Sequence, residues 1–189
     1  MKGGGVLYSS FFFSNMPAKI IKDQKGFSLV ELLIVVLTIG LIAAIAVPNL
    51  LAARRSANEG SAISSLRTLH SAQSLYLTSI GGGDYAGTIG STGDSIALSD
   101  LHSVKLIDES LGFGTKSGYN FVGARTLSDS LTPASFFFSA NPISTSGITQ
   151  SGTKRFCISQ EGSLRFDWNG INTAFDESGC RNATTYGLN

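Results

Sequence analysis

The feature that most constrains this chain is an apolar run that extends from Phe27 to Leu51. Glu31 is the only ionisable residue of the run, and no charged side chain lies between Leu32 and Val47. A helix of about 20 residues, rising about 1.5 Å per residue, crosses a hydrocarbon core of about 30 Å. The run is therefore long enough to form a membrane-spanning helix, and an acid inside such a helix usually marks a function or a partner.

Flanking charges bear on the orientation of this helix. Lys19, Lys22 and Lys25 precede the run, which favours a cytoplasmic N-terminus and a C-terminal domain beyond the membrane. Arg54 and Arg55 on the far side weaken this bias. Charge alone therefore gives a preferred orientation without excluding the opposite one.

A conventional secretory signal is an alternative interpretation of the same run. Such a signal would begin with lysines and end near Ala44 and Ala46. Its apolar region is normally shorter than this one and carries no carboxylate, whereas Glu31 lies inside the run. The sequence therefore favours a retained helix over a cleaved signal.

Length and charge narrow the possible roles of the rest of the chain. A length of 189 residues is typical of one domain with a modest core. The formal net charge is only +1, and the sequence contains no local basic patch, so nucleic acid is not an expected partner. After the apolar run the chain is rich in Gly, Ser and Thr, which indicates a secreted, loop-rich domain.

The string KGFSLVELLIVVLTIGLIAAIAVPNL resembles the class III leader and N-terminal helix of type IV pilins and type II secretion pseudopilins. The resemblance depends on a basic leader that ends in Gly26 and on Phe27 as the first mature residue. Glu31 then takes the fifth mature position, and Pro48 stands where many family members have a proline. The resemblance covers a small part of the chain, but this combination of features is specific.

The resemblance implies how the N-terminus would be processed and used. A prepilin peptidase, a membrane-embedded aspartyl enzyme, would cut between Gly26 and Phe27 and methylate the new amino group of Phe27. Glu31 of a neighbouring subunit would neutralise that amine and set the register between helices. Gly40 and Pro48 weaken helix formation, so the stretch between them is predicted to bend, or to melt in a filament.

The resemblance also implies partners and location. The precursor would be a single-pass inner-membrane protein with a cytoplasmic N-terminus and a periplasmic head. It would polymerise with other pilin subunits on an assembly platform with ATPases into an extracellular filament, and no cofactor is expected. The expected function is a structural pilus subunit for adhesion, motility or DNA uptake; the alternatives are a type II secretion pseudopilin and a signal-anchored binding protein or enzyme.

The first 15 residues depart from the short, basic leaders of the family. The stretch MKGGGVLYSSFFFSN adds an apolar patch with three consecutive phenylalanines. Translation from Met16 would give the compact leader MPAKIIKDQKG instead. Both starts yield the same mature chain.

The pattern after Pro48 predicts an α+β fold in which the long helix packs against a small antiparallel sheet. Ala62, Leu66, Leu69 and Tyr76 recur at spacings of three and four and form one helical stripe. The glycines at 81–83 favour an end of the helix near Ser79. The expected organisation is a leader (1–26), a transmembrane or filament-core helix (27–51), its amphipathic continuation (52–80), an αβ-loop (81–118) and a β-sheet head with a C-terminal disulfide loop (119–189).

Strand patterns follow in the last third of the chain, at 119–122, 135–140, 154–159 and 163–167. The last two alternate well, with a turn at 160–162 between them, and predict a β-hairpin. Within the loop-like segment 81–118, Ser99 or Asp100 is a candidate cap for a brief helix.

The two cysteines, Cys157 and Cys180, are too far apart for a CxxC pair, and export favours a disulfide between them over two buried thiols. Such a bridge would tie the hairpin to the C-terminal loop, and in pilins that loop often forms an exposed surface.

Other chemistry finds little support in the residues. His70 is expected in the groove or surface of the helix and His102 in a loop, and neither has a partner at zinc-ligand spacing. The stretch GFGTKSG lacks the glycine spacing of a phosphate loop and is interpreted as a turn. Asp176 and Glu177 suggest calcium only weakly, because no alternating ligand series accompanies them. No convergent catalytic set is present in the head, so the chain is not expected to be an enzyme.

Overall fold

The computed structural model describes residues 26–130, 133–169, 171 and 173–185. Residues 1–25 of the predicted leader, including Lys19, Lys22, Lys25 and the alternative start at Met16, lie outside the described residues. The helices and strands are α1 (Leu29–Ser79), α2 (Ile96–Ser103), α3 (Glu109–Gly112), β1 (Thr115–Lys116), β2 (Tyr119–Thr126), β3 (Ser135–Pro142), β4 (Arg155–Ser159), β5 (Leu164–Asp167), α4 (Glu177–Asn182) and β6 (Thr184–Thr185).

The chain divides into two units, residues 1–42 and residues 43–189. The described part of the first unit contains the N-terminal portion of α1. The second unit contains the rest of α1, including Pro48, and the whole of the head.

The six strands form one antiparallel sheet in which each strand pairs with its neighbours in the chain. Phe156 pairs with Phe166 and Ile158 with Leu164, and all four side chains belong to the main core or pack against it. The predicted hairpin and its inward face are thus confirmed. The α+β class is confirmed as well, because the long helix α1 precedes an antiparallel sheet whose strands pair in chain order.

The core of the head lies between the second half of α1 and one face of the sheet. Ala62, Leu66 and Leu69 are fully buried, and the same cluster contains Tyr119 and Phe138 from the sheet. Burial of a large apolar side chain stabilises a fold by about 1.5–3 kcal/mol. The stripe predicted from helical spacing is therefore the face on which the head is built.

The segment 81–118 contains more helix than its composition suggests. α2 begins at Ile96 after Ser95, so Ser99 and Asp100 lie inside the helix and the predicted caps are wrong. Asp94 accepts a hydrogen bond from the Ile96 N–H, at 2.9 Å, which satisfies one of the free donors at the helix start. Asp94 therefore supplies the hydrogen-bond acceptor at the helix start that the sequence pattern assigned to Ser99 or Asp100.

The structure also revises the positions of the histidines. His102 lies in the last turn of α2, not in a loop. His70 is half-buried on α1, with its Nε2 3.1 Å from the carbonyl oxygen of Gln160. Each ring lies beside a backbone carbonyl, His70 beside that of Gln160 and His102 beside that of Ile107, with its Nδ1 at 3.4 Å.

GFGTKSG forms the end of α3 and the first hairpin, as its interpretation as a turn requires. Lys116 pairs with Tyr119, which leaves Ser117 and Gly118 as a two-residue loop. Both residues have positive φ, 49° and 76°, the combination needed by a tight hairpin turn of the I′ type. Glycine is therefore favoured at the second position for conformational reasons.

Candidate assembly site

Gly26, Phe27 and Ser28 precede the first turn of α1. The Leu32 N–H donates to the Ser28 carbonyl, at 3.2 Å, and so closes the first turn of the helix. A Cβ built on Gly26 would meet no atom within 4 Å, so the backbone at the predicted cleavage bond is open. Glu31 occupies the first turn, where the helix dipole favours a negative charge.

The side chains of this helical segment are exposed on every face. Phe27 is 72% exposed, Leu29 78% and Leu41 66%. None of the residues in the most apolar part of α1 is buried, and α1 is long and apolar enough to cross a membrane. An apolar surface of this extent is not stable in water, so it requires lipid or other protein chains to cover it.

Glu31 is exposed in the single chain. Among the described residues its carboxylate makes no hydrogen bond and no ion pair. The pairing that the family resemblance implies needs the amino terminus of another subunit, and it therefore remains a prediction.

Gly40 and Pro48 both lie within α1, which runs through them as helix in the single chain. Proline has no backbone N–H, so the carbonyl of Ala44 loses its usual partner four residues on. The bending or melting predicted between Gly40 and Pro48 remains a prediction.

In the head, Cys157 and Cys180 form a disulfide with a Cα–Cα distance of 5.8 Å. Both cysteines are fully buried and form a second, small core with Phe175 on the other face of the sheet. The Phe175 N–H donates to Ser139 Oγ at 2.8 Å and holds the segment against β3. The predicted pairing is present, and the bridge itself is buried. The exposed surface expected of the loop that the bridge closes stays a prediction.

Asp176 and Glu177 serve the start of α4. Asp176 accepts the Gly179 N–H at 2.7 Å and caps the helix. Glu177 accepts hydrogen bonds from Arg181 at 2.7 Å and from Ser135 at 3.0 Å. The described ranges contain no group of three metal-ligating side chains. These carboxylates are therefore committed to a cap and an ion pair.

Sequence reasoning missed the polar contacts that join α1 to the segment 143–153, named here the proximal loop. Arg55 donates to Gln150 Oε1 at 2.7 Å, and Asn58 donates to the Ser151 carbonyl at 2.9 Å. Glu59 accepts both the N–H and the hydroxyl of Thr153, each at 2.7 Å. More than 90 residues separate these partners, so no local pattern could have revealed them.

A buried amide was missed as well. Gln73 is fully buried, and its side chain both donates to the Ala86 carbonyl, at 2.8 Å, and accepts the Ala86 N–H, at 2.9 Å. A buried peptide group needs hydrogen-bond partners. Here a side chain of α1 supplies them to Ala86, in the segment that follows the end of the helix. The only sequence signal was a polar residue close to the apolar stripe.

Tyr119 shows how strongly the head is desolvated beside the proximal loop. Burial, with the nearby negative charge of Glu59 adding to it, raises the pKa of the Tyr119 phenol far above its ordinary value. The hydroxyl donates to the Lys154 carbonyl at 2.9 Å. The phenol is therefore a neutral structural donor.

A short part of the chain, which includes the N-terminal apolar segment, is similar to known proteins. Residues 21–47 match the family described as the prokaryotic N-terminal methylation motif. The type IV wide pilus major component PilA4 of Thermus thermophilus is 55% identical over 38 residues, which are 20% of this chain and 29% of that protein. The type II secretion system core protein G of Pectobacterium carotovorum and that of Escherichia coli are each 36% identical over 53 residues, 28% of this chain and 34% and 37% of theirs.

The family match ends at residue 47, before the buried stripe of α1 and the sheet. The chain spans about a third of the length of the curated relatives that it matches. No solved structure gives a significant match. The chain therefore carries the prokaryotic N-terminal methylation motif at residues 21–47, and over a short stretch it is similar to type IV pilus and type II secretion proteins. Both a pilus component and secretion-system components are among its relatives.

Proposed function

We propose that this chain is a structural subunit of a type IV pilus. In this proposal it is cut after Gly26, N-methylated at Phe27 and polymerised through its N-terminal helix. The observation that carries the proposal is the methylation motif at 21–47, which coincides with a helix exposed on every face. A helix of this kind is stable in a bilayer or in a bundle of like helices. Assembly would move it from the bilayer into the bundle.

The proposal includes the partners that this cycle needs. The precursor sits in the inner membrane with its N-terminus in the cytoplasm and its head in the periplasm. A prepilin peptidase cuts and methylates it, and an assembly platform with ATPases adds it to a homopolymer outside the cell. The subunit itself acts as a structural protein and not as an enzyme, and the filament serves adhesion, motility or DNA uptake.

Mass spectrometry of filaments sheared from the cell surface tests this function. We expect a peptide that begins with N-methylated Phe27. An unprocessed chain in mature cells, together with its absence from isolated filaments, would contradict the proposal.

A pseudopilin of a type II secretion system is the second candidate, favoured by the similarity to two secretion core proteins. The same processing is expected for it, so the mature N-terminus does not separate the two candidates. The protein composition of surface filaments separates the two candidates. A pseudopilin would be absent from long surface filaments of cells that express secretion genes at their normal level, whereas a pilus subunit would be present in them. Activity in a head fragment from Ala52 onward would instead support a signal-anchored enzyme.

A further inference from the structure

The proximal loop is held close to the point where the apolar part of α1 ends. Counting from Leu51 at about 1.5 Å per residue, Arg54 lies about 4.5 Å and Arg55 about 6 Å further along the helix axis. The polar headgroup layer of a bilayer is about 5–8 Å thick on each side of the hydrocarbon core. If the apolar run spans the membrane, both arginines therefore lie at headgroup depth.

Three hydrogen-bonded contacts hold the proximal loop at this level. Gln150 accepts from Arg55, and Ser151 and Thr153 bond to the next turn of α1, at Asn58 and Glu59. The loop is closed on itself by Ser151, which accepts from the Ser144 N–H and donates to the Ser144 carbonyl. It is thus a built structure that is fixed to the helix just beyond the apolar run.

The surface that the loop presents has an unusual composition for a water-exposed turn. Ile148 is 80% exposed and Ile143 is 55% exposed. Beside them, Arg54 shares a cavity of about 290 Å³ with loop hydroxyls, including those of Ser144 and Thr149. These two oxygens are hydrogen-bonded at 3.1 Å, and when Ser144 is the donor the Thr149 hydroxyl can donate to a ligand. Within the described part of the chain the Arg54 guanidinium has no hydrogen bond or ion pair. Two exposed isoleucines, an unpaired cation and hydroxyl donors match the boundary between acyl chains and phosphate groups.

We propose that Arg54 and the proximal loop form a contact with the outer leaflet of the membrane while the subunit is a precursor. In this contact the Arg54 guanidinium and the loop hydroxyls bind a lipid phosphate, preferring anionic headgroups, and Ile148 enters the acyl–headgroup boundary. The inference rests on the proposed membrane-inserted precursor, because it needs the apolar run to span a bilayer. It adds a second membrane contact, which orients the head before assembly and must be released when the subunit enters a filament.

Tryptophan quenching in proteoliposomes of the full precursor tests the depth of the loop. In a background in which Trp168, the only native tryptophan, is changed to Phe, single tryptophans are introduced as Ile148→Trp, Ile80→Trp and Leu41→Trp. Ile80 is a matched control, because it is also exposed but lies about 43 Å beyond Leu51 along the helix. Tryptophan's own preference for interfaces is the same at both positions.

We expect lipids brominated near the headgroup to quench the tryptophan at position 148 and not the one at position 80. Lipids brominated deep in the acyl chain should quench position 41. If position 41 is quenched but 148 is no more quenched than 80, the loop contact is wrong while the membrane-inserted precursor stands. If position 41 is not quenched, the membrane-inserted precursor itself fails, and the loop contact with it.

The headgroup preference is tested in the same vesicles with Arg54→Gln and Arg67→Gln. Arg67 is the matched control, an exposed arginine about 24 Å beyond Leu51. Brominated phosphatidylglycerol should quench position 148 more strongly than brominated phosphatidylcholine at equal content. Arg54→Gln should lower this ratio by up to about fivefold and Arg67→Gln should leave it unchanged. Two results would overturn the proposal. One is equal quenching of position 148 by both lipids when the rest of the loop and Arg54 are unaltered. The other is quenching that changes with the amount of protein per vesicle and not with the type of lipid.

Discussion

At the scale of single residues, Glu31 is an acid in the first turn of an apolar helix, where its carboxylate would be costly to transfer into a membrane. A carboxylate costs about 2.5 kcal/mol or more to place in the centre of a membrane helix, although a place near the interface lowers this cost. Bundling of like helices would bury it further. In the proposed assembly an unpaired ionised acid there would be strongly unfavourable, and the amine of a neighbouring subunit is the partner that we propose for it.

Replacement of Glu31 by Ala should therefore leave membrane insertion and cleavage largely intact and impair filament assembly. The reason is that the new amine of a neighbouring subunit would lose its counter-charge. Precursor and mature forms are separated by gel mobility, and filaments are counted by electron microscopy. Glu31→Gln is the matched control for side-chain size, and normal filaments from either variant would count against charge pairing.

Gln73 gives a second prediction at this scale. Gln73→Ala would leave the N–H and C=O of Ala86 buried without partners, at about 1–3 kcal/mol for each group. We expect the free energy of unfolding of a head fragment from Ala52 onward to fall by about 2–4 kcal/mol, measured by urea denaturation. Ser71→Ala, an exposed change on the same helix, should alter it by less than about 0.5 kcal/mol. Similar values for the two variants would contradict the role of the amide.

At the scale of elements, the hairpin of β4 and β5 carries the core on one face and the disulfide on the other. Phe156 and Ile158 point toward α1, whereas Cys157 between them bonds to α4. A strand that alternates in this way serves two cores at once. The C-terminal segment therefore depends on the hairpin for its position.

Removal of the disulfide should destabilise the head by roughly 3 to 4 kcal/mol on the loop-closure model. The double variant Cys157→Ser and Cys180→Ser tests this, with urea denaturation of oxidised and reduced wild-type head as the reference. The variant should unfold at the same urea concentration as reduced wild type. If oxidised and reduced wild type unfold together, the bridge contributes little.

Asp167 gives this hairpin a defined response to acid. The Asn169 N–H at 2.8 Å, and then Arg155 at 3.0 Å, stabilise the carboxylate and hold the pKa of Asp167 below its ordinary value of 3.8. A folded pKa below the unfolded one means that this stability is fully present above the unfolded pKa. It is lost as the pH falls through the folded pKa.

The stability of the wild-type head should therefore decline on acidification below pH about 4 more steeply than that of Asp167→Asn. Thermal unfolding between pH 6 and pH 2 measures the two curves. Glu109→Gln, a change at an exposed carboxylate, is the control and should follow wild type. Parallel curves for wild type and Asp167→Asn would contradict the assignment.

At the scale of the whole molecule, the chain joins a segment that cannot remain in water to a head that can. Apolar residues from Phe27 to Leu50 are exposed, whereas the head buries its large side chains between helix and sheet. A head fragment from Ala52 onward should be monomeric in buffer, and the full chain should require detergent or lipid. Sedimentation of both with and without detergent measures this, and a full chain that stays monomeric in buffer would contradict it.

The sequence by itself determined the apolar helix, its buried continuation and the alternating strands. These are local patterns: the periods of 3.6 and 2 report which side of an element is buried, and the N-terminal motif lies in one continuous string. Only the tertiary structure decided that Gln73 binds Ala86, that Arg55, Asn58 and Glu59 hold the proximal loop, and that the disulfide is buried. Those contacts join residues that are distant in the chain or that leave no periodic trace, so they arise only when the folded backbone brings their polar groups into hydrogen-bonding distance.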